Sequence, residues 1–295
     1  METIKIFLSS DNNYTPFVAT TIASICDNTE SFCNFYILDG GIKEENKEKI
    51  CKLKEQFNNF SIEFIKIDYD KFLKDFEYKN KSAHVSISTY NRFFIGELKP
   101  DINRAIYIDI DIIALGDIKT LWEQSLKGKT VGMIKDEGEN DLISKYKEKF
   151  SLNHYFNAGV LLIDLNKWKS NNYSEKVFEF EKLNRNILNF ADQDIINVIL
   201  KDDCEILSSK FNSQLISDEN TVIRHFVNVY KPWKYNYFKL GNQIKPLSNF
   251  EDFWKYAQMT DFYNELKSDY EKNINSNMLI KRLSIIADKM KGKEK

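Results

Sequence analysis

With 295 residues, 42% of them hydrophobic and 14% aromatic, the chain can bury a full core, and nothing in its composition suggests disorder. Its formal charge of −2 and pI near 6.1 provide no overall basic field, which excludes nucleic acid as an expected partner and leaves any anion binding to a local site. The four cysteines, Cys26, Cys33, Cys51 and Cys204, form no Cys-x-x-Cys pair and read as reduced structural thiols rather than zinc ligands.

In chain order, Ile4 to Leu8 is an apolar, β-prone run with no basic leader or cleavage site before it, which predicts a cytoplasmic protein. Phe32 to Leu38 and Ser61 to Ile67 follow as strands. Between them Lys43 to Phe57 carries Ile50, Leu53 and Phe57 at helical spacing, so these are βαβ units of a mostly parallel sheet. A helical stretch from Ser86 to Leu98 leads through Pro100 into Arg104 to Ile108, a continuous apolar run that predicts a buried central strand. Ala158 to Ile163 predicts another strand. A helix opens near Asp192, with Ile195, Ile196 and Ile199 as its apolar positions, and a strand lies around Val222 to Val229. One α/β domain over 1–235 and an aromatic, basic helical extension over 236–295 are expected. In that extension Leu279, Leu283, Ile286 and Met290 form a helical stripe beside Lys281, Arg282 and Lys289. It suits an anionic membrane surface, packing on the domain, or a second subunit in a homodimer.

Asp109-Ile110-Asp111 follows the buried run Ala105 to Ile108. Strand alternation would point both carboxylates to one side, and a shared hard divalent cation relieves the repulsion of two such charges. The carboxyl end of a strand is also where α/β sheets bind ligands. Asp-x-Asp occurs three times in the chain, so the pattern alone separates a metal site from a structural role only weakly. Asp68-Tyr69-Asp70 precedes Lys71-Phe72-Leu73 and reads as a helix cap. Asp192-Gln193-Asp194 opens a helix whose amino-terminal dipole favours acids in any case. Taken singly, His225 reads as a structural histidine, Asp11, Asn13 and Tyr14 as a capped turn, and Arg92 and Lys231 as surface charges.

Six blocks in order are more specific. Ser10 to Tyr14, His84 to Arg92, Tyr107 to Asp111, Tyr155 to Leu162, Asp192 to Asp194, and His225 through Lys231-Pro232-Trp233 resemble the signatures of glycosyltransferase family 8 over roughly residues 3–233, in particular the bacterial lipopolysaccharide galactosyl- and glucosyltransferases. The resemblance implies a GT-A fold, a Rossmann-like α/β architecture in which helices flank a mostly parallel, mixed sheet. It implies UDP-glucose or UDP-galactose as donor, Mn²⁺ or alternatively Mg²⁺ as cofactor, and transfer with retention to a hydroxyl of a glycan, lipopolysaccharide or glycoprotein.

By the same resemblance Asp109, Asp111 and His225 would hold the cation, and Lys231 would place a charge on the diphosphate. Ser9, Asp11, Asn13, Tyr14, Arg92 and Ile110 would contact the rest of the nucleotide donor. Asn157 and Asp192 would bind hydroxyls of the donor sugar, and Gln193 would lie beneath the anomeric carbon. An amide oxygen is a poor nucleophile, so a front-face displacement is expected, with Asp194 as an alternative nucleophile. Asn228 stands where the family carries glycine beside the phosphates, which retains the backbone donor but adds a side chain in a tight place. The loop from Asp136 to Asn153 and the aromatic tail are expected to select the acceptor. Two rival readings are a nucleotidyltransferase that releases pyrophosphate and a non-catalytic sugar-nucleotide-binding protein.

Overall fold

The computed structural model describes residues 3–68, 87–138, 140–227 and 229–293. Among these residues seven strands form one mixed sheet: β1 Ile4–Ser10, β2 Cys33–Asp39, β3 Phe60–Lys66, β4 Arg104–Ile108, β6 Val131–Lys135, β7 Phe156–Asp164 and β8 Cys204–Ile206, with β5 Ile112–Ala114 lying outside it. The order is β3-β2-β1-β4-β7-β6-β8, and β7 alone runs against the rest. Alternate side chains enter opposite core layers. Ile6, Ile106 and Ile108 pack on one face, and Phe7, Ala105 and Tyr107 on the other, so β1 and β4 carry apolar side chains on both faces, as strands covered on both sides do.

The first face is covered by α1 (Thr15–Asn28), which Pro16 helps to start, and the edge by α2 (Glu44–Cys51). The expected helix at Lys43–Phe57 ends early, in a 3₁₀ turn over Lys52–Glu55, while Ile50 and Leu53 are buried as the spacing required. The stretch expected as helix from Ser86 to Leu98 is, from Ile87 on, a 3₁₀ helix (Ile87–Phe94) and a short α-helical turn (Ile95–Leu98). Where a specificity loop from Asp136 to Asn153 was expected, α3 (Asp141–Phe150) stands. Asn140 caps it by accepting from the Leu142 and Ile143 N–H groups, both at 3.0 Å. The second face is covered by α4 (Tyr173–Asn184) and α5 (Asp192–Ile199).

The strand expected at Val222–Val229 is shorter, β9 Ile223–His225, and pairs antiparallel with β5. Beyond it come a hairpin, β10 Tyr237–Leu240 and β11 Gln243–Pro246, then α6 (Phe250–Ala257), α7 (Tyr263–Ser276) and α8 (Met278–Lys291). Phe253 and Trp254 of α6 join the same apolar cluster as α1 and the sheet, so aromatic burial welds this region to the rest. On α8, Ile280, Ser284 and Ala287 face inward, whereas Leu279, Ile286 and Met290 of the expected stripe are exposed. No helix among the described residues is long and apolar enough to cross a membrane. Tyr69 and Asp70 of the expected helix cap and Lys71 to Leu73 after it lie outside the described residues, as do His84 to Ser86 and Asn228.

Candidate active site

β1 and β4 lie side by side and parallel, with β2 beyond β1, so the chain leaves the sheet in opposite directions on either side of that pair. A crevice opens at their carboxyl ends for that reason. It is a cavity of about 850 Å³ lined by Ser9 near the end of β1, by Asp11 and Tyr14 after it, by Asp109 to Asp111 after β4, and by residues of six further segments.

Residues 109–111 are a bend between β4 and β5, not part of a strand. Side-chain alternation is therefore not what brings the two carboxylates together, which corrects the expectation. The bend is held from both sides. The Asp109 N–H donates to the Gly159 carbonyl at 2.8 Å, and the Phe226 N–H donates to the Asp111 carbonyl at 2.9 Å. α1 anchors β5 through Thr21, which donates to the Ile112 carbonyl, and Ser24, which accepts from the Ala114 N–H. β5 in turn pairs Ile112 with His225. Ligand atoms of Asp109, Asp111 and His225 thus lie within 4.8 Å of one another. One imidazole nitrogen and two carboxylates so placed fit a divalent transition metal.

His225 Nε2 lies 3.1 Å from Asp111 Oδ1, and Lys231 Nζ meets Asp111 Oδ2 and the Phe226 carbonyl. Burial alone would raise the Asp111 carboxyl, but Lys231 and His225 outweigh it and hold it far below the ordinary carboxylate range. Room for the imidazole comes from Gly159, where a β-carbon would stand 2.3 Å from His225 Cε1.

Arg92, which taken singly reads as a surface charge, is only 4% exposed. It donates from Nη2 to Asp109 Oδ1 at 2.9 Å and from Nε to Asp192 Oδ2 at 3.0 Å, and its guanidinium lies 4.3 Å from the centre of the Tyr107 ring. One buried guanidinium thus ties the Asp109–Asp111 bend to the start of α5. Burial pushes Asp192 up to about 7 against the pull of Arg92. The residue before it, Ala191, has φ 48° and ψ −117°, a conformation that costs an L-residue about 1–3 kcal/mol and aims the first turn of α5 at the cavity.

Gln193 is held on every side. Its Nε2 donates to Asp136 Oδ2 at 3.1 Å, and its Oε1 accepts from the Ala158 N–H and from Asn157 Nδ2, each at 3.2 Å. Asn157 also donates to Asp136 at 3.3 Å. Across the cavity Tyr14, Phe17 and Trp233 form an aromatic wall, with ring centres 5.9 Å and 4.1 Å apart in succession.

The structure therefore gathers Ser9, Asp11, Tyr14, Arg92, Asp109, Ile110, Asp111, Asn157, Asp192, Gln193, His225 and Lys231 around one cavity. Two expected residues are not brought to its wall. Asn13 is exposed off the wall, and its backbone N–H donates to Asp11 at 2.9 Å to cap the 3₁₀ turn Asn12–Tyr14. Asp194 turns inward and is 1% exposed: one oxygen accepts from the Tyr155 hydroxyl at 2.5 Å, and the other from the Asn189 and Phe190 N–H groups. Fully engaged in that way, it is poorly placed as a nucleophile. Asp136 and Gln214 on the wall, and Asn212 behind His225, carry no signal in the sequence, because each stands in an ordinary polar stretch at no characteristic spacing.

The sequence profile of Glycosyl transferase family 8 matches residues 5–237. General stress protein A of Bacillus subtilis (strain 168) is 30% identical over 260 residues, which are 80% of this chain and 89% of that protein. The lipopolysaccharide 1,2-glucosyltransferase of Escherichia coli (strain K12) is 26% identical over 83% of this chain and 79% of its own length. A crystal structure of the galactosyltransferase LgtC in complex with donor and acceptor sugar analogs superposes with a TM-score of 0.72 over 88% of this chain and 96% of that one, at 24% identity. That likeness establishes the GT-A fold.

Proposed function

The chain belongs to glycosyl transferase family 8, and from that membership we propose that it moves a hexose, glucose or galactose, from a UDP-sugar to a hydroxyl of a glycan, lipopolysaccharide or glycoprotein, with retention and in dependence on Mn²⁺. The observation that carries the proposal is the convergence of Asp109, Asp111 and His225 from two distant segments at the mouth of the sheet. The glucosyltransferase relative and the galactosyltransferase neighbour support a hexose donor without separating the two sugars.

A divalent cation at that site would neutralise the diphosphate as it leaves. The imidazole in the ligand set suits Mn²⁺ better than an all-oxygen Mg²⁺ site. The chain's own residues do the rest. Asp11 offers a carboxylate oxygen to the uracil N3–H and Tyr14 a ring for stacking on the base. Lys231 lies close enough to Asp111 to turn its charge toward the diphosphate, and Arg92 braces Asp109 and Asp192 in register. Asn157 and Asp192 address hydroxyls of the sugar. Gln193, clamped by Asp136, presents a fixed dipole to the positive charge that develops at the anomeric carbon. A front-face displacement, in which the departing phosphate oxygen takes the acceptor proton, needs no protein nucleophile, and the inward turn of Asp194 agrees with that route.

The outward face of α8 exposes Leu279, Ile286 and Met290 beside Arg282 and Lys289. That face supports peripheral contact with an anionic membrane on its cytoplasmic side, or with a second subunit. A donor panel of UDP- and other nucleotide-sugars with Mn²⁺, read out as nucleoside diphosphate released, tests the proposal. Release of UDP from one UDP-hexose is expected. Pyrophosphate from a nucleoside triphosphate would establish a nucleotidyltransferase instead, and tight UDP binding with neither transfer nor donor hydrolysis would establish a binding protein.

A further inference from the structure

His225 sits between two oxygens. Its Nε2 lies 3.1 Å from Asp111 Oδ1, and its Nδ1 lies 2.9 Å from Asn212 Oδ1. Which end of the Asn212 amide meets the ring is decided further along a buried chain. The Gly159 N–H can only donate, and it meets Asn157 Oδ1 at 2.9 Å. On its other side the Asn157 amide nitrogen donates to Asp136 at 3.3 Å and to Gln193 Oε1 at 3.2 Å, so Asn157 has one orientation. Its oxygen takes a second hydrogen bond, from Asn212 Nδ2 at 2.9 Å. Asn212 must then turn its own oxygen to His225, and Nδ1 must carry the hydrogen that it accepts. The ring nitrogen left facing Asp111 and the cavity is Nε2.

We infer that Asn212 is a positioning residue for the cation site: it holds His225 with the hydrogen on Nδ1, so that Nε2 is the atom offered to the metal. The inference rests on the reading of Asp109, Asp111 and His225 as metal ligands. Asn212 is fully buried and does not line the cavity, so any effect it has on the reaction passes through its neighbours. Its polarity is set by a backbone amide that no side-chain exchange can reverse. The residue supplying that amide, Gly159, is also the one whose missing β-carbon admits the ring. The same chain runs on through Asn157 to Gln193, so the metal ligand and the residue proposed beneath the anomeric carbon are oriented by one network.

Calorimetric titration of Mn²⁺ into the protein at saturating UDP tests this with two variants. Asn212→Leu keeps the volume and removes the acceptor, whereas Asn212→Asp keeps an acceptor against Nδ1. Mn²⁺ affinity is expected to fall ~10–100-fold in Asn212→Leu and by less in Asn212→Asp, which keeps the acceptor at Nδ1 but sets an oxygen against Asn157 Oδ1. Two-bond ¹H–¹⁵N spectra add a signature that loss of packing would not produce. With three histidines in the chain, His225 can be assigned by difference against His225→Gln, and its Nδ1 should be protonated at pH 8 in the wild type and in Asn212→Asp. Wild-type affinity in Asn212→Leu, an equal loss in both variants, or a wild-type Nδ1 without hydrogen would each overturn the inference. The spectrum of the wild type decides even if Asn212→Leu does not fold. Absence of any Mn²⁺-dependent heat in the wild type with UDP present is a separate result, which would overturn the metal reading and this inference with it.

Discussion

Gly159 and His225 compete for one volume: a β-carbon on the glycine would stand 2.3 Å from the ring Cε1 and 2.8 Å from Nδ1. The same substitution would crowd Asn157 Oδ1 at 2.9 Å, so neither neighbour can move without disturbing the other. Gly159→Ala should therefore cost about 1–3 kcal/mol of stability through overpacking. It should also weaken Mn²⁺-dependent UDP binding by roughly tenfold or more, because the imidazole must leave its place. Denaturant melts and calorimetry measure the two effects. A variant that binds the pair as tightly as wild type would show that His225 is not a ligand.

Asp109 has two duties on the proposed reading: its Oδ1 accepts from Arg92 and from the Tyr107 hydroxyl, and its carboxylate would help to hold the cation. Asp109→Ala should lower transfer at least ~100-fold. It should also cost about 1–3 kcal/mol, because the buried Arg92 keeps only Asp192 as a carboxylate partner. Turnover unchanged in Mn²⁺ would remove the metal assignment, and circular dichroism separates lost chemistry from lost fold.

Asp192 should leave a mark on the pH dependence of stability. Burial raises its pKa to about 7 in the folded chain, against an ordinary value of 3.8. Between those values the folded protein binds more protons than the unfolded one. Its contribution to stability is thus full below about pH 4 and is lost as the pH rises through about 7. The unfolding free energy of wild type minus that of Asp192→Asn should fall by on the order of a few kcal/mol from pH 4.5 to pH 8. A flat difference would mean that Arg92 keeps Asp192 ionised throughout.

Gln193 and Asp194 are neighbours in sequence with opposite surroundings, one on the cavity wall and one turned inward. Gln193→Ala should lower kcat by ~10–100-fold while leaving UDP affinity nearly unchanged, since it removes an interaction realised only in the transition state. Asp194→Asn should do the reverse: cost ~1–3 kcal/mol by disturbing the Tyr155, Asn189 and Phe190 hydrogen bonds, with kcat within about tenfold. Single-turnover rates and thermal melts give both readouts. A thousandfold loss of rate in Asp194→Asn at unchanged melting temperature would reinstate it as nucleophile.

β4 ends where its apolar run ends, Arg104 to Ile108, and β1, β2 and β3 differ from expectation by only a residue or two. β1, β2 and β4 are legible because they are buried and largely apolar, and the edge strand β3 because Phe60, Ile62 and Phe64 alternate with Ser61 and Glu63. β5, β8 and β9 are three residues each, too short for a period to emerge, and they exist because partners hold them: α1 and β9 for β5, and β6 for β8. α3 was hidden by its charges, since only Ile143 and Tyr146 are buried within it.

By itself the sequence determined the α/β class, the family, and the block order that delivers Asp109, Asp111, Arg92, Asn157, Asp192, Gln193, His225 and Lys231 to one place, because contiguous runs and ordered motifs carry that information. Only the tertiary structure decided that Arg92 is buried between two carboxylates, that Asp194 turns away from the cavity and Asn13 lies off its wall, and that Asn212 stands behind His225. Those outcomes depend on hydrogen bonds and shared volume between segments as far apart as Arg92 and Asp192. Such contacts have an energy only once the chain has closed, and no local period can announce them.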